Sequence, residues 1–188
     1  MTTSNSHLDA VLQRSNPLVQ VFADDGRFPN NEKLPLVLYQ NAVKLPQQDP
    51  AATFEAIFHA NEWSGSWCNG IYPYHHYHST AHEVLGISRG EASVRLGGDD
   101  NGQTFEVRAG DVIIIPAGVA HKNLGSSPDF QVVGAYPQGQ KWDMNYGKPG
   151  ERPQAERNIA QVPLPKTDPI YGKDGRLAKY WHLQQAKV

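Results

Sequence analysis

Short apolar runs alternate along this chain with polar breaks that carry Gly, Pro or Asn, and most runs have the length of a strand. Val19-Gln-Val-Phe22 and Leu36-Val-Leu-Tyr39 flank one such break and read as a pair of strands. Further strands are predicted over 66–71, around His76 to His78, and over 83–87. Two more, 92–96 and 103–107, flank Gly97-Gly-Asp-Asp-Asn-Gly102, which has the composition of a hairpin turn. Residues 112–115 and 130–135 complete the strand set. One segment changes period: after Asp49-Pro50, the apolar residues Phe54, Ile57 and Phe58 recur at helical spacing. Asp49 as cap and Pro50 at the first helical position predict a helix running to about Asn61. A shorter helical pattern begins at Ser6, with Leu8, Val11 and Leu12 on one face. Many short strands with one or two short helices predict an all-β barrel or jelly roll.

Beyond Tyr136 the periodicity is lost. Pro137, Pro149, Pro153, Pro163, Pro165 and Pro169 interrupt a stretch that cannot build a core of its own. It nevertheless carries Trp142, Tyr146, Ile159, Tyr171, Leu177 and Trp181, so this long irregular C-terminal extension is expected to wrap the barrel, a partner subunit or a pocket mouth. The organisation expected is an N-terminal helix and leading strands over 1–48, a core over 49–136 and the extension over 137–188. Together they form one structural domain, and 188 residues suffice for a single core.

Charge narrows the partners. Lys and Arg total 17 against 19 Asp and Glu, with no block of one sign, which argues against a nucleic-acid groove or a polybasic membrane surface. No apolar run approaches the roughly 20 residues that cross a bilayer, and residues 1–16 are too polar for a secretory signal. Cys68 is the single cysteine and cannot form an internal disulfide, which fits a reducing compartment. The expectation is a cytoplasmic protein.

The chemistry concentrates in Gly70-Ile-Tyr-Pro-Tyr-His-His-Tyr-His-Ser-Thr-Ala-His-Glu83. On an extended strand His76 and His78 project from one face while Tyr77 points away. A short loop then brings Glu83 from the next strand beside the two rings. His121, following Pro116-Ala-Gly118 at the end of an apolar strand, supplies a fourth group. Three histidines and a carboxylate drawn into a barrel are costly to desolvate alone, and a cation offsets that cost. His76, His78, Glu83 and His121 are therefore the expected ligands of a divalent ion: iron, manganese, nickel or zinc. His75 and His82 alternate to the opposite face, where supporting or surface roles are expected. Cys68, Tyr72, Tyr74 and Asn123 are candidate pocket residues, with Cys68 read as a small buried hydrophobe.

These stretches carry a resemblance. Gly70 through Gly90 is similar to the first cupin motif, with its His-x-His, its Glu and its closing Gly all present. Gly110 through His121 is similar to the second motif, departing only after His121, where Gly125 replaces the expected Asn and Asn123 lies two residues earlier. Only residues 91–109 separate the motifs, and each occurs once. The chain thus resembles a single-domain RmlC-like cupin, close to small cupins of unassigned function. The resemblance implies a jelly-roll β-barrel (double-stranded β-helix) and a homodimer. The function expected is a metal-dependent oxygenase, isomerase or lyase acting on a small polar, anionic metabolite. The alternative is a non-catalytic small-molecule-binding cupin whose metal holds ligand or fold.

Overall fold

The computed structural model describes residues 8–182. Nine strands follow in chain order: β1 (Leu18–Phe22), β2 (Asn31–Tyr39), β3 (Trp63–Asn69), β4 (Glu83–Arg89), β5 (Glu91–Leu96), β6 (Gln103–Arg108), β7 (Val112–Ile115), β8 (His121–Ser126) and β9 (Gln131–Pro137). Among the described residues three named helices accompany them: α1 (Pro50–Ala60), α2 (Gln154–Ile159) and α3 (Leu177–Tyr180). The strands form two antiparallel sheets, ordered β1-β2-β7-β4-β9-β3 and β6-β5-β8. This is the all-β, jelly-roll arrangement expected, with few and short helices.

Alternation sorts the six-stranded sheet into two buried faces. Leu36, Leu38, Leu85, Ile87, Ile113, Ile115 and Val132 meet Val94, Leu96, Phe105 and Val107 of the smaller sheet. Their neighbours Val37, Tyr39, Val84, Val112, Ile114 and Val133 point the other way and are covered by Phe54, Ile57 and Phe58 of α1 together with Ile170, Leu177 and Trp181. A sheet covered on both faces needs no polar positions in its middle strands, which is why residues 36–39 of β2 and all of β7 read as unbroken apolar runs.

α1 starts as the sequence predicts: Asp49 accepts from the Ala52 N–H through its side chain, Pro50 opens the helix, and Asn61 ends it. Leu8, Val11 and Leu12 pack against the α1 side of the sheet; the expected cap, Ser6, lies outside the described residues. Strand β8 was absent from the set predicted by periodicity. Its Lys122 to Ser126 alternate poorly, with Leu124 half exposed.

The C-terminal segment lies against the barrel. Trp181 is fully buried and its indole N–H donates to the Pro35 carbonyl of β2 at 2.8 Å. The buried Asp168 carboxylate accepts from the Tyr39 hydroxyl at 2.6 Å and from the backbone N–H groups of Ile170, Tyr171 and Leu177.

Candidate metal centre

Four buried side chains converge from separate parts of the chain. His76 and His78 come from the connection between β3 and β4, Glu83 opens β4, and His121 opens β8. The connection is not the strand predicted around His76 to His78. It makes single bridges only, His76 with His121 and Tyr77 with Asn145. Alternation nevertheless holds across it, because both bridges lock extended backbone: His76 and Tyr77 exchange paired N–H···O bonds of 2.9–3.2 Å with their partners. His76 and His78 thus line a cavity of about 200 Å³, while Tyr77 turns into a cluster with Phe28, Ala120 and Ala155. The Pro-Ala-Gly turn fixes the other side. Gly118 N–H donates to the His78 carbonyl at 2.8 Å. Gly118 has φ 96°, and a Cβ there would lie 2.3 Å from the Asn30 carbonyl oxygen, so only glycine fits.

The ligating atoms of His76, His78 and His121 lie within 4.8 Å of one another. Glu83 Oε2 is 3.5 Å from His78 Nε2 and 3.3 Å from His121 Nε2. The other ring nitrogens fix the tautomers. Nδ1 of His76 faces the Tyr74 carbonyl at 3.2 Å, Nδ1 of His78 the Asp143 carbonyl at 2.5 Å, and Nδ1 of His121 the Val119 carbonyl at 3.1 Å. A carbonyl oxygen only accepts, so each Nδ1 carries a proton, and in the neutral ring Nε2 is left with the lone pair. Three lone pairs and a carboxylate oxygen therefore point at one small volume.

Titration of the protein groups alone does not resolve this crowding. Burial, reinforced by neighbouring His121, pushes His76 down to about 3. Burial also opposes charge on His78, but the Glu83 carboxylate overrides it and holds that ring up. Glu83 itself is pulled below the usual carboxylate range despite its burial, because the His78 and His121 rings face it. A proton on His78 would satisfy one contact and leave the remaining lone pairs opposed. A divalent cation among the three rings would take up their lone pairs, with the Glu83 carboxylate beside two of them, so the donor set fits a metal.

Several groups that support this site were not singled out from the sequence. The Tyr136 hydroxyl, at the end of β9, donates to Glu83 Oε1 at 3.2 Å and accepts from the Trp67 indole N–H at 2.8 Å. Asp143 anchors the loop above: its carboxylate accepts from the Ser79 N–H and hydroxyl, from the Thr80 N–H and from the Asn145 amide, while its carbonyl accepts from His78 Nδ1–H. Parity along β9 from Val132 would have found Tyr136. Asp143 sits in aperiodic chain that offers no such signal.

The remaining candidates divide. Cys68 and Tyr72 line the cavity; Tyr74 and Asn123 do not. Tyr74 stacks on Tyr72 at its rim, and Asn123 turns to Ser126 and the Gly125 N–H. Cys68 is exposed rather than buried, because β3 is an edge strand of its sheet. His75 and His82 face away from the centre, yet both are buried. His75 Nε2 meets Asp99 at 2.9 Å, and His82 Nδ1 accepts the Ala117 N–H at 3.0 Å, bracing the turn that leads to His121. A larger groove of about 780 Å³, bordered by α1 and Tyr171, shares no residue with this cavity.

Barrel, motif positions and converging donors define one class, and residues 69–129 match the family model of the cupin domain. The chain belongs to the cupin superfamily. It is 49% identical over 160 residues to the uncharacterized protein YjlB of Bacillus subtilis, a match covering 85% of this chain and 93% of that one. Solved structures are similar over smaller parts. Procruciferin, an 11S globulin of Brassica napus, is 17% identical over 76% of this chain and 37% of its own, with a TM-score of 0.39. An oxalate decarboxylase of Bacillus subtilis is 17% identical over 63% and 29%, with a TM-score of 0.36. The chain thus spans well under half the length of those solved proteins.

Proposed function

We propose that this cupin is a metal-dependent enzyme, an oxygenase or an isomerase or lyase, acting on a small molecule that binds through oxygen. His76, His78 and His121, through Nε2, and Glu83, through Oε2, would hold the ion. The observation carrying the reading is the forced tautomer of all three rings beside one buried carboxylate. A divalent ion in that position supplies Lewis acidity, and a redox-active one also supplies electrons to dioxygen. The chain's own residues orient the donors: Tyr136 holds Glu83 Oε1 so that Oε2 turns to the rings, and the Asp143 carbonyl fixes His78. Buried Leu85 and Ile71 keep bulk water from the inner wall.

We further propose a cytoplasmic homodimer. Leu18 and Val21 stand half exposed on the edge strand β1, where a second copy would cover them. Among the described residues no helix is long and apolar enough to cross a membrane. Elemental analysis of protein purified without an affinity tag should find one equivalent of iron, manganese or nickel, and screening with Fe(II) should find a substrate that drives dioxygen uptake or is converted without it. A redox-inert zinc that no added ligand reaches would sink the enzymatic reading. Tight saturable binding without turnover would leave a binding protein.

A further inference from the structure

Resting on that metal reading, the walls of the cavity narrow what the ion would present. Among the described residues lining it, no Lys or Arg appears; the only charged side chain there is Glu83, beside the three histidines. A divalent ion with three neutral imidazoles and one carboxylate carries a net charge near plus one. One negative charge on the ligand is thereby neutralised, and a second would be desolvated with no partner. Most of the remaining wall is apolar or aromatic, with Trp67, Ile71, Tyr72, Leu85, Trp142 and Met144, and Asn69 adds one neutral amide. Two of these aromatics stand at the mouth and are nearly half exposed, Tyr72 at 45% and Trp142 at 47%.

Both are held in place before any ligand arrives. Tyr72 stacks on Tyr74 at 5.0 Å and sets its edge on His76 at 5.2 Å. Trp142 lies 5.4 Å from the His78 ring and 6.3 Å from Tyr136, stacked on the latter. Its neighbour Asp143 is tied down by Ser79 and Thr80. Fixed, half-exposed rings over a charged centre suit a flat apolar body, whose binding then costs little side-chain ordering. The cavity of about 200 Å³ has room for one compact ring bearing two oxygens.

We infer that the ligand is a singly anionic oxygen chelator on a compact apolar or unsaturated ring, and that small dicarboxylates are disfavoured. Trp142 is the residue that sets this preference, by covering the ring face.

The test uses full-length protein loaded with Ni(II), its metal content verified by elemental analysis, and isothermal titration calorimetry with two probes. Tropolone chelates through two oxygens and brings one negative charge and a carbon ring; oxalate chelates through two of its four oxygens and brings two charges and no apolar part. The preference for tropolone over oxalate should exceed that of the free Ni(II) ion by about tenfold or more, the scale set by burying one ring face. Trp142→Ala should weaken tropolone by about tenfold on the same argument and leave oxalate within about twofold. Retained metal content and an unchanged circular dichroism spectrum establish that the variant is folded. If the protein retains nickel but oxalate matches or beats tropolone relative to the free ion, or Trp142→Ala weakens both alike, the ligand class is wrong while the metal reading stands. If no nickel is retained, both fall.

Discussion

Asp143 shows how a residue outside the donor set controls it. Its backbone carbonyl accepts a hydrogen bond from His78 Nδ1–H at 2.5 Å, and its carboxylate accepts from Ser79, Thr80 and Asn145. Those bonds to charged oxygen, one of them the Ser79 hydroxyl, pull its pKa below the usual carboxylate range although burial opposes this. Substituting Asp143→Ala leaves every ring and Glu83 in the chain yet frees the loop that aims His78. Metal affinity should then fall by about 10- to 100-fold, the range for lost supporting contacts. Competition against a chromophoric chelator reads this directly. A His121→Ala control should fall further, and an Asp143→Ala affinity equal to wild type would show that the loop is rigid without its anchor.

At the scale of elements, α1 meets the sheet where β4 lacks a side chain. A Cβ built on Gly86 would lie 2.5 Å from Phe54 Cδ1, and the backbone there is ordinary strand. The glycine is therefore required by the close approach of helix to strand rather than by its dihedrals. Gly86→Ala should destabilise the protein by about 1–3 kcal/mol through overpacking. Adding Phe54→Leu should recover part of that loss, a non-additivity readable by urea unfolding of the two single variants and the double. Strict additivity would mean that the helix shifts instead. Local pattern made α1, β2, β5, β6, β7 and β9 legible, because capping, alternation and unbroken apolar runs are properties of neighbours in sequence. The parity of His76 and His78 was legible for the same reason, even though their segment only bridges. The edge position of β3, which exposes Cys68, is a fact of sheet order that no local window contains. Strand β8 was missed because one of its faces meets solvent unevenly. Trp67, Trp142 and Met144 reach the cavity only through the way distant segments fold back on it.

For the molecule as a whole, the described residues beyond β9 pack on the barrel through Ile170, Leu177 and Trp181. Trp181 is among the largest fully buried side chains, and it ties the C-terminal segment to β2 through the Pro35 carbonyl. It also lies against His82, ring centroids 4.7 Å apart, and His82 braces the turn before His121. The covering layer and the metal-facing layer are thus joined through one indole and one imidazole. Truncating that indole opens a cavity in the cluster shared by α1, the sheet and Leu177, and orphans a backbone carbonyl. Trp181→Ala should therefore cost about 3–5 kcal/mol. The expected signature is a lower urea midpoint with an unchanged slope, in one transition seen alike by circular dichroism and fluorescence. Two separated transitions would mean that the C-terminal segment unfolds on its own from a barrel that needs no cover, and the apolar outer face of the six-stranded sheet would then be exposed before the barrel opens.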